Sequence, residues 1–130
     1  MALAGFSHPA AFRPNFKWSM EECLWIAPHA SAVAANQPPH RCAVIHRAVS
    51  EFESFVRPAA LRRGIVHGDA NDYNVLTRAA AASFPEVCAL IDFGDAHEGW
   101  IVADVAVAAA YAALGHDSPL EAAAEVLQKR

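Results

Sequence analysis

The stretch from Ile65 to Leu76 constrains the fold of this chain more than any other. It reads Ile-Val-His-Gly-Asp-Ala-Asn-Asp-Tyr-Asn-Val-Leu, so an apolar pair stands on either side of a polar loop. Apolar, β-branched pairs are typical of short strands, and the loop between them carries Asp69 and, five residues later, Asn74. A second apolar run leads directly into Asp92-Phe93-Gly94. The pattern predicts two strand-supported polar loops that a short hairpin brings together.

The order of these polar residues matches the requirements of phosphoryl transfer. A hydroxyl group that attacks a phosphoryl group needs a carboxylate to orient it and to accept its proton, and this role is predicted for Asp69. Mg²⁺ prefers hard oxygen ligands, which the Asn74 amide and the Asp92 carboxylate supply. Each motif alone is more often a turn or a strand end. The prediction therefore depends on their joint order and spacing.

Residues His67 to Leu76, taken with Ile91 to Asp95, resemble the aminoglycoside phosphotransferase and choline kinase superfamily. That superfamily has His-Gly-Asp where protein kinases have His-Arg-Asp. Within it, the residues between Asp69 and Asn74 look most like those of the hydroxylysine kinase family, and Phe6 to Ala11 also resembles a segment of that family. The resemblance covers most of the chain and is strong from residue 64 to residue 114.

The resemblance implies an α+β fold, namely a protein-kinase-like C-terminal lobe fragment. Such a lobe is mostly helical, with a small antiparallel β-hairpin that carries the catalytic and metal loops. Residues 1–130 would form a partial kinase domain with its catalytic core at 64–114. The implied cofactors are Mg²⁺ and ATP or GTP as phosphoryl donor. The implied acceptor is 5-hydroxylysine or a similar hydroxylated amine or amino acid.

The resemblance also implies supporting roles for two further residues of the site. It implies that His67 braces the catalytic loop by hydrogen bonds, although the residue type alone would also suit a ligand or a base. It implies that Asp104, a charge in an apolar helix, bonds to the backbone of the catalytic loop. Asp95 would either add a metal contact or cap a turn, and the sequence favours neither.

Composition narrows the candidate partners and the compartment. The net charge is −4 and the pI is about 5.9, without a basic patch, which argues against nucleic acid or membrane as partners. The three cysteines are odd in number and form no Cys-x-x-Cys pair, which indicates free thiols in a reducing compartment. Residues 1–5 do not resemble a signal peptide, and the run from residue 100 to residue 114 is too short to span a bilayer. A cytoplasmic protein is expected.

Hydrophobic periodicity and capping signals predict the regular elements. Ser19 and Glu22 predict a short helix over residues 20–26 that stops before Pro28, followed by a loop over residues 28–40. Three further helices are predicted, over residues 41–57, over residues 100–114 and from residue 118 onward. Strands are predicted over residues 65–66, 75–77 and 87–91. Arg78 to Pro85 is predicted to be the hairpin connection, Gly64 a break before the first strand, and Gly115 the end of the helix over residues 100–114.

Two features that the resemblance implies for a complete kinase, a glycine-rich loop and a lysine on a strand, are not found in this sequence. None of the six glycines forms Gly-x-Gly, and the only lysines are Lys17 and Lys129. The nucleotide-binding lobe is therefore expected to be absent, with its contact face covered by that lobe or by another chain. One alternative is a non-catalytic remnant that acts, if at all, as a binding module. A phosphohydrolase is a further alternative, disfavoured because hydrolase metal sites draw on more His and Asp ligands.

Overall fold

The structure, a computed structural model, describes residues 5–35, 37–79 and 85–128. The chain divides into two compact units, one of residues 14–61 and the other of residues 1–13 together with 62–130. Among the described residues, the unit of residues 14–61 is helical, whereas the other unit contains four short strands and two α-helices. This mixture of helices with small antiparallel sheets agrees with the predicted α+β class.

The unit of residues 14–61 begins with a 3₁₀ helix at Met20–Ile26. The Ser19 hydroxyl accepts a hydrogen bond from the Glu21 N–H at 3.4 Å, so the predicted cap is present. The predicted stop before Pro28 is wrong, because helix α1 follows at once over Ala27–Ala34. Pro28 is tolerated there because residues of the first helical turn have no intrahelical partner for their N–H groups. The alanine-rich sequence after it favours helix over the predicted loop.

Helix α2 spans Pro39–Glu51 and continues as one turn of π-helix over Phe52–Val56. This confirms the predicted helix over residues 41–57. The helix starts two residues earlier than predicted, because Pro39 fits the first turn as Pro28 does in α1. Pro58 lies in the turn that follows, as expected for a residue that cannot continue a helix.

The second unit is built on an antiparallel pair of strands, β1 at Arg63–Val66 and β4 at His97–Trp100. Gly64 lies opposite Gly99, and Val66, which is only 1% exposed, lies opposite His97. Two predictions are wrong here, since Gly64 continues a strand and Trp100 ends one. Strand β4 is short and largely polar, and its partner lies more than thirty residues earlier in the chain. Local periodicity therefore could not reveal it.

Strands β2, at Val75–Arg78, and β3, at Glu86–Leu90, form the predicted antiparallel hairpin. The register shifts between Leu76 and Thr77, where the ladder carries an irregularity. The predicted connection over residues 78–85 lies mostly outside the described residues. Because the strands are antiparallel, the polar loop that precedes β2 and the polar loop that follows β3 lie at the same end of the hairpin.

Helix α3 spans Val102–Ala113 and packs against α4, which spans Pro119–Gln128. The body of the predicted helix over residues 100–114 is confirmed, although it begins after β4. Gly115 follows it with a φ of +71°, the left-handed conformation expected of a glycine at this position. In the described residues no helix is both long enough and apolar enough to cross a membrane.

All three cysteines lie within the described residues, and none of them forms a disulfide. Cys23 is partly buried on the 3₁₀ helix at Met20–Ile26, whereas Cys88 is exposed on β3. Burial raises the pKa of the Cys23 thiol, because an apolar surrounding disfavours the thiolate. This thiol is therefore expected to react more slowly than that of Cys88 with alkylating reagents.

Candidate active site

The first polar loop, residues 67–74, connects β1 to β2 and is called the catalytic loop below. Its first turn depends on Gly68, which has a φ of +83°. A side chain at this position would place its Cβ 2.6 Å from the Asp95 carbonyl oxygen, so there is no room for one. The glycine of His-Gly-Asp therefore serves both a left-handed turn and a close approach between two loops.

Asp104, on the first turn of α3, holds the start of the catalytic loop. One carboxylate oxygen accepts the His67 N–H and the other accepts the Gly68 N–H, each at 2.9 Å. Hydrogen bonds to an ionised carboxylate are stronger than neutral ones, and both oxygens of this carboxylate have a donor. The structure thus places Asp104 in the contact that the resemblance implies for it.

Asp69 lies at the centre of a network of two asparagines. The Asn71 amide donates to one Asp69 carboxylate oxygen at 2.8 Å, and the Asn74 amide donates to the other at 3.1 Å. The Asn74 amide also donates to the Asp69 backbone carbonyl at 2.8 Å. Asp69 and Asn74, predicted as base and metal ligand, are therefore in direct contact.

Asn71 is a residue of this site that the sequence prediction missed. Its side chain is almost fully buried, and its amide oxygen accepts the N–H groups of Tyr73 and Asn74 at 2.9 and 3.1 Å. This is an N-cap of the single 3₁₀ turn at Asp72–Asn74. A sequence signal for this role was available, because asparagine commonly caps the N–H groups two and three residues after it in a turn.

His67 is 1% exposed, and both of its ring nitrogens have hydrogen-bond partners. Nε2 lies 2.9 Å from the Ile91 carbonyl oxygen, and Nδ1 lies 3.3 Å from the Asp69 backbone nitrogen. A carbonyl can only accept, so this network assigns the proton to Nε2 and leaves the Nδ1 lone pair to accept the Asp69 N–H. The ring also packs edge-on against Phe93. This arrangement favours a bracing role over that of a ligand or base.

The second polar loop, Ile91 to Asp95, is called the metal loop below. It is joined to the catalytic loop by the backbone, because the Ile91 N–H donates to the Asn74 carbonyl at 2.9 Å. Asp92 follows directly with a φ of +61°, and one of its carboxylate oxygens accepts the Gly94 N–H at 3.3 Å. The structure therefore places Asp92 one residue after the backbone hydrogen bond that joins the two loops.

The end of the metal loop contacts a histidine that the sequence prediction did not single out. His97 is 3% exposed, and its Nδ1 lies 2.8 Å from the Asp95 carbonyl oxygen. Asp95 itself belongs to the 3₁₀ turn at Phe93–Asp95 and is half-buried. No sequence signal marks His97, because its role depends on the pairing of β4 with β1.

Asn74 and Asp92 each keep a side-chain oxygen that is available as a ligand. Because both described bonds of the Asn74 side chain use its Nδ2, its Oδ1 is left as an acceptor. Asp92 is exposed and bonds to Gly94 through only one oxygen, which leaves the second. These are hard oxygen ligands of the type that Mg²⁺ selects. Within residues 5–35, 37–79 and 85–128, no three His, Cys, Asp or Glu side chains form a cluster that could hold a metal by themselves.

Comparison with known proteins finds similar sequences. Hydroxylysine kinase from Mus musculus is 26% identical over 133 residues, covering 97% of this chain and 35% of that protein. Hydroxylysine kinase from Xenopus laevis is 28% identical, covering 98% of this chain and 36% of that protein. The chain thus spans about a third of the length of these relatives. No solved structure gives a significant match.

A third relative, hydroxylysine kinase from Bos taurus, is 25% identical and covers 96% of this chain. The family model described as the phosphotransferase enzyme family matches residues 2–129. That match extends over both units of the fold and over every residue of the candidate site. The chain therefore belongs to the phosphotransferase enzyme family.

Proposed function

We propose that this chain is the catalytic segment of a small-molecule kinase, which transfers the γ-phosphate of ATP or GTP to a hydroxyl group. One observation carries the proposal. Asp69 and Asn74 are hydrogen-bonded to each other, and the backbone of Asn74 is bonded to the residue before Asp92. A carboxylate base and two hard metal ligands are thereby held in neighbouring loops, as phosphoryl transfer requires.

Asp69 is the proposed base. Each of its carboxylate oxygens accepts one amide N–H, which fixes the group without using all of its acceptor capacity. An acceptor hydroxyl can therefore donate to a remaining lone pair and be oriented toward the phosphorus. As the new oxygen–phosphorus bond forms and the bond to the leaving diphosphate breaks, the hydroxyl proton passes to Asp69.

Asn74 and Asp92 are the proposed magnesium ligands. The ion would neutralise charge on the phosphates, and its remaining ligands would be water and phosphate oxygens. Within the chain, the Asn74 amide is held by two bonds to Asp69, so its oxygen keeps one orientation. The base and a metal ligand are thus positioned by the same pair of hydrogen bonds.

The proposed acceptor is a hydroxylated amine or amino acid such as 5-hydroxylysine. The support is that the three relatives described above are all named hydroxylysine kinase. Since the chain spans about a third of their length, the proposal assigns it the acceptor-activating and metal-binding part of the reaction.

A chimera tests the proposed function. In the mouse hydroxylysine kinase, the segment that matches this chain is replaced by residues 1–130, and nucleotide consumption is measured with hydroxylysine and a panel of amino alcohols. We expect acceptor-dependent turnover, and we expect Asp69→Asn to lower kcat by about 10²- to 10⁴-fold with little change in nucleotide affinity. Asp117→Asn, which makes the same chemical change at an exposed position, should leave turnover unchanged.

A folded chimera that is inactive, or one in which Asp69→Asn retains normal turnover, would contradict the proposal. Should the chimera not fold, Mn²⁺ added to the 130-residue chain provides a second measurement. At the lowest Mn²⁺ concentrations, paramagnetic broadening should affect the amide signals of Asn74 and Asp92 before others. This broadening should be lost in Asp92→Asn. Broadening that is unchanged in Asp92→Asn would reject the metal site.

A further inference from the structure

His97 occupies an unusual place for a histidine, buried beneath both loops of the site. It lies on β4 directly opposite Val66, the last residue of β1 before the catalytic loop. Its Nδ1 lies 2.8 Å from the Asp95 carbonyl oxygen, and since a carbonyl only accepts, Nδ1 carries the proton. The donor is on a buried side chain and the acceptor is on half-buried Asp95, and the loss of such a partly buried hydrogen bond is costly.

The imidazole of His97 lies close to two glycines, and a side chain on either glycine would crowd the ring. A Cβ at Gly99 would lie 2.9 Å from Nε2 of His97, and a Cβ at Gly68 would lie 3.3 Å from its Cε1. Gly68 belongs to the catalytic loop, and its missing side chain also leaves room for the Asp95 carbonyl. The ring of His97 thus touches the catalytic loop on one side and bonds to the end of the metal loop on the other.

The two buried histidines of the site hold opposite ends of the metal loop. His67 bonds to the carbonyl of Ile91, where the loop begins, and His97 bonds to the carbonyl of Asp95, where it ends. Between these points lies Asp92, whose φ of +61° is uncommon for a residue with a side chain. Such a conformation persists only when the surrounding structure determines it.

From this geometry we propose that His97 is a positioning residue that fixes the metal loop at its Asp95 end, so that Asp92 keeps its left-handed conformation. The expected consequence of this positioning, which is metal binding by Asp92, rests on the proposed function. The hydrogen bond and the packing of His97 are independent of that function.

Amide hydrogen exchange of the 130-residue chain tests the positioning role directly. The Ala96 N–H donates to the Phe93 carbonyl at 3.1 Å and closes the turn that His97 holds. His97→Leu removes the donor and keeps an apolar side chain, and it should speed exchange at Ala96 about tenfold. His97→Asn places an amide donor near the position of Nδ1, and exchange at Ala96 should return to within about twofold of the wild type.

Amides within β1 separate positioning from general stability, because loss of overall stability would speed their exchange as much as that of Ala96. The Leu variant should therefore affect Ala96 more than the β1 amide of Gly64, which lies opposite Gly99 and two residues from the position opposite His97. Gly99→Ala is an independent variant, since its Cβ would displace the ring, and it should act like His97→Leu. His116→Leu is the control, because it removes an imidazole bond to the Ser118 N–H in the same unit, away from both loops.

Equal acceleration at Ala96 and in β1, or equal effects of the Leu and Asn variants, would overturn the inference. Mn²⁺ titration then tests the consequence, and His97→Leu should weaken Mn²⁺ binding about three- to tenfold while His97→Asn should not. If the wild-type chain did not bind Mn²⁺, the proposed metal site would fail. The exchange result would still decide the role of His97.

Discussion

Gly68 shows how one residue can satisfy two separate requirements of this site. It has a positive φ, and its Cα approaches the Asp95 carbonyl so closely that a Cβ would lie 2.6 Å from that oxygen. Gly115 also has a positive φ, but a Cβ there would meet no atom within 4 Å. The two glycines therefore separate the cost of backbone conformation from the cost of the close contact.

We expect Gly115→Ala to lower the free energy of unfolding by about 1 kcal/mol, the cost of the left-handed conformation alone. Gly68→Ala should lower it by at least about 2 kcal/mol, because the clash with Asp95 adds to the same conformational cost. Urea unfolding followed by tryptophan fluorescence measures both, since Trp100 is buried in this unit. Equal losses in the two variants would show that the loops move apart at little cost.

Some residues of the candidate site were predicted from the sequence, and others were found only in the structure. The structure brings Asp69, Asn74 and Asp92 into adjoining loops, and their catalytic and metal-binding roles stay predictions. They were singled out because phosphoryl transfer requires those residue types at that spacing. Asn71 and His97 were not, because a buried turn cap and a buried donor acquire their roles only from the fold. The type of a residue shows which chemistry its side chain can perform. Which side chains hold that residue in position depends on neighbours that are distant in the sequence.

At the scale of elements, Asp104 connects α3 to the catalytic loop through two backbone N–H groups. Asp104→Asn replaces one accepting oxygen by an NH₂ group, which would face a backbone donor and leave it without an acceptor. We expect a loss of about 1–3 kcal/mol in the free energy of unfolding. Asp117→Asn, the same change at an exposed position, should cost less than about 0.5 kcal/mol. A comparable loss in both variants would contradict the role of Asp104 in holding the loop.

The elements that could be predicted are those whose pattern is local. Helix α2 has a long hydrophobic period, and β2 and β3 are adjacent in the sequence, so both were found. Strand β4 was missed because its four residues become a strand only through pairing with distant β1. Helix α1 was missed for a different reason, since Pro28 was interpreted as a stop although a proline is tolerated in the first turn.

At the scale of the whole molecule, many large apolar side chains are exposed. Examples are Leu120, Phe55 and Leu114, which are 86%, 73% and 71% exposed. Exposed apolar surface of this extent favours association with other protein surfaces. The chain also spans about a third of the length of its relatives. Any assay of the chain alone should therefore be accompanied by a measurement of its oligomeric state.

The activity of the chain by itself depends on whether it can hold the nucleotide phosphates. Phosphoryl transfer depends mainly on the positioning of the nucleotide phosphates, for which related enzymes use a glycine-rich loop and a lysine on a strand. Lys17 instead lies over the ring of Trp25, with its Nζ 5.6 Å from the ring centroid. The other lysine, Lys129, lies outside the described residues, and the sequence contains no Gly-x-Gly.

We therefore expect the 130-residue chain alone to show no acceptor-dependent nucleotide consumption, even with Mg²⁺ present. The candidate base and metal ligands are in place, but the ion normally takes several of its ligands from phosphates that something must hold. The measurement is nucleotide consumption with hydroxylysine and amino alcohols, compared with the Asp69→Asn variant under the same conditions. Turnover above that of the variant would show that residues of this chain hold the phosphates by a route other than a glycine-rich loop and a strand lysine. In that case the acidic and amide groups of the two loops, together with Mg²⁺, would be sufficient for positioning as well as for chemistry.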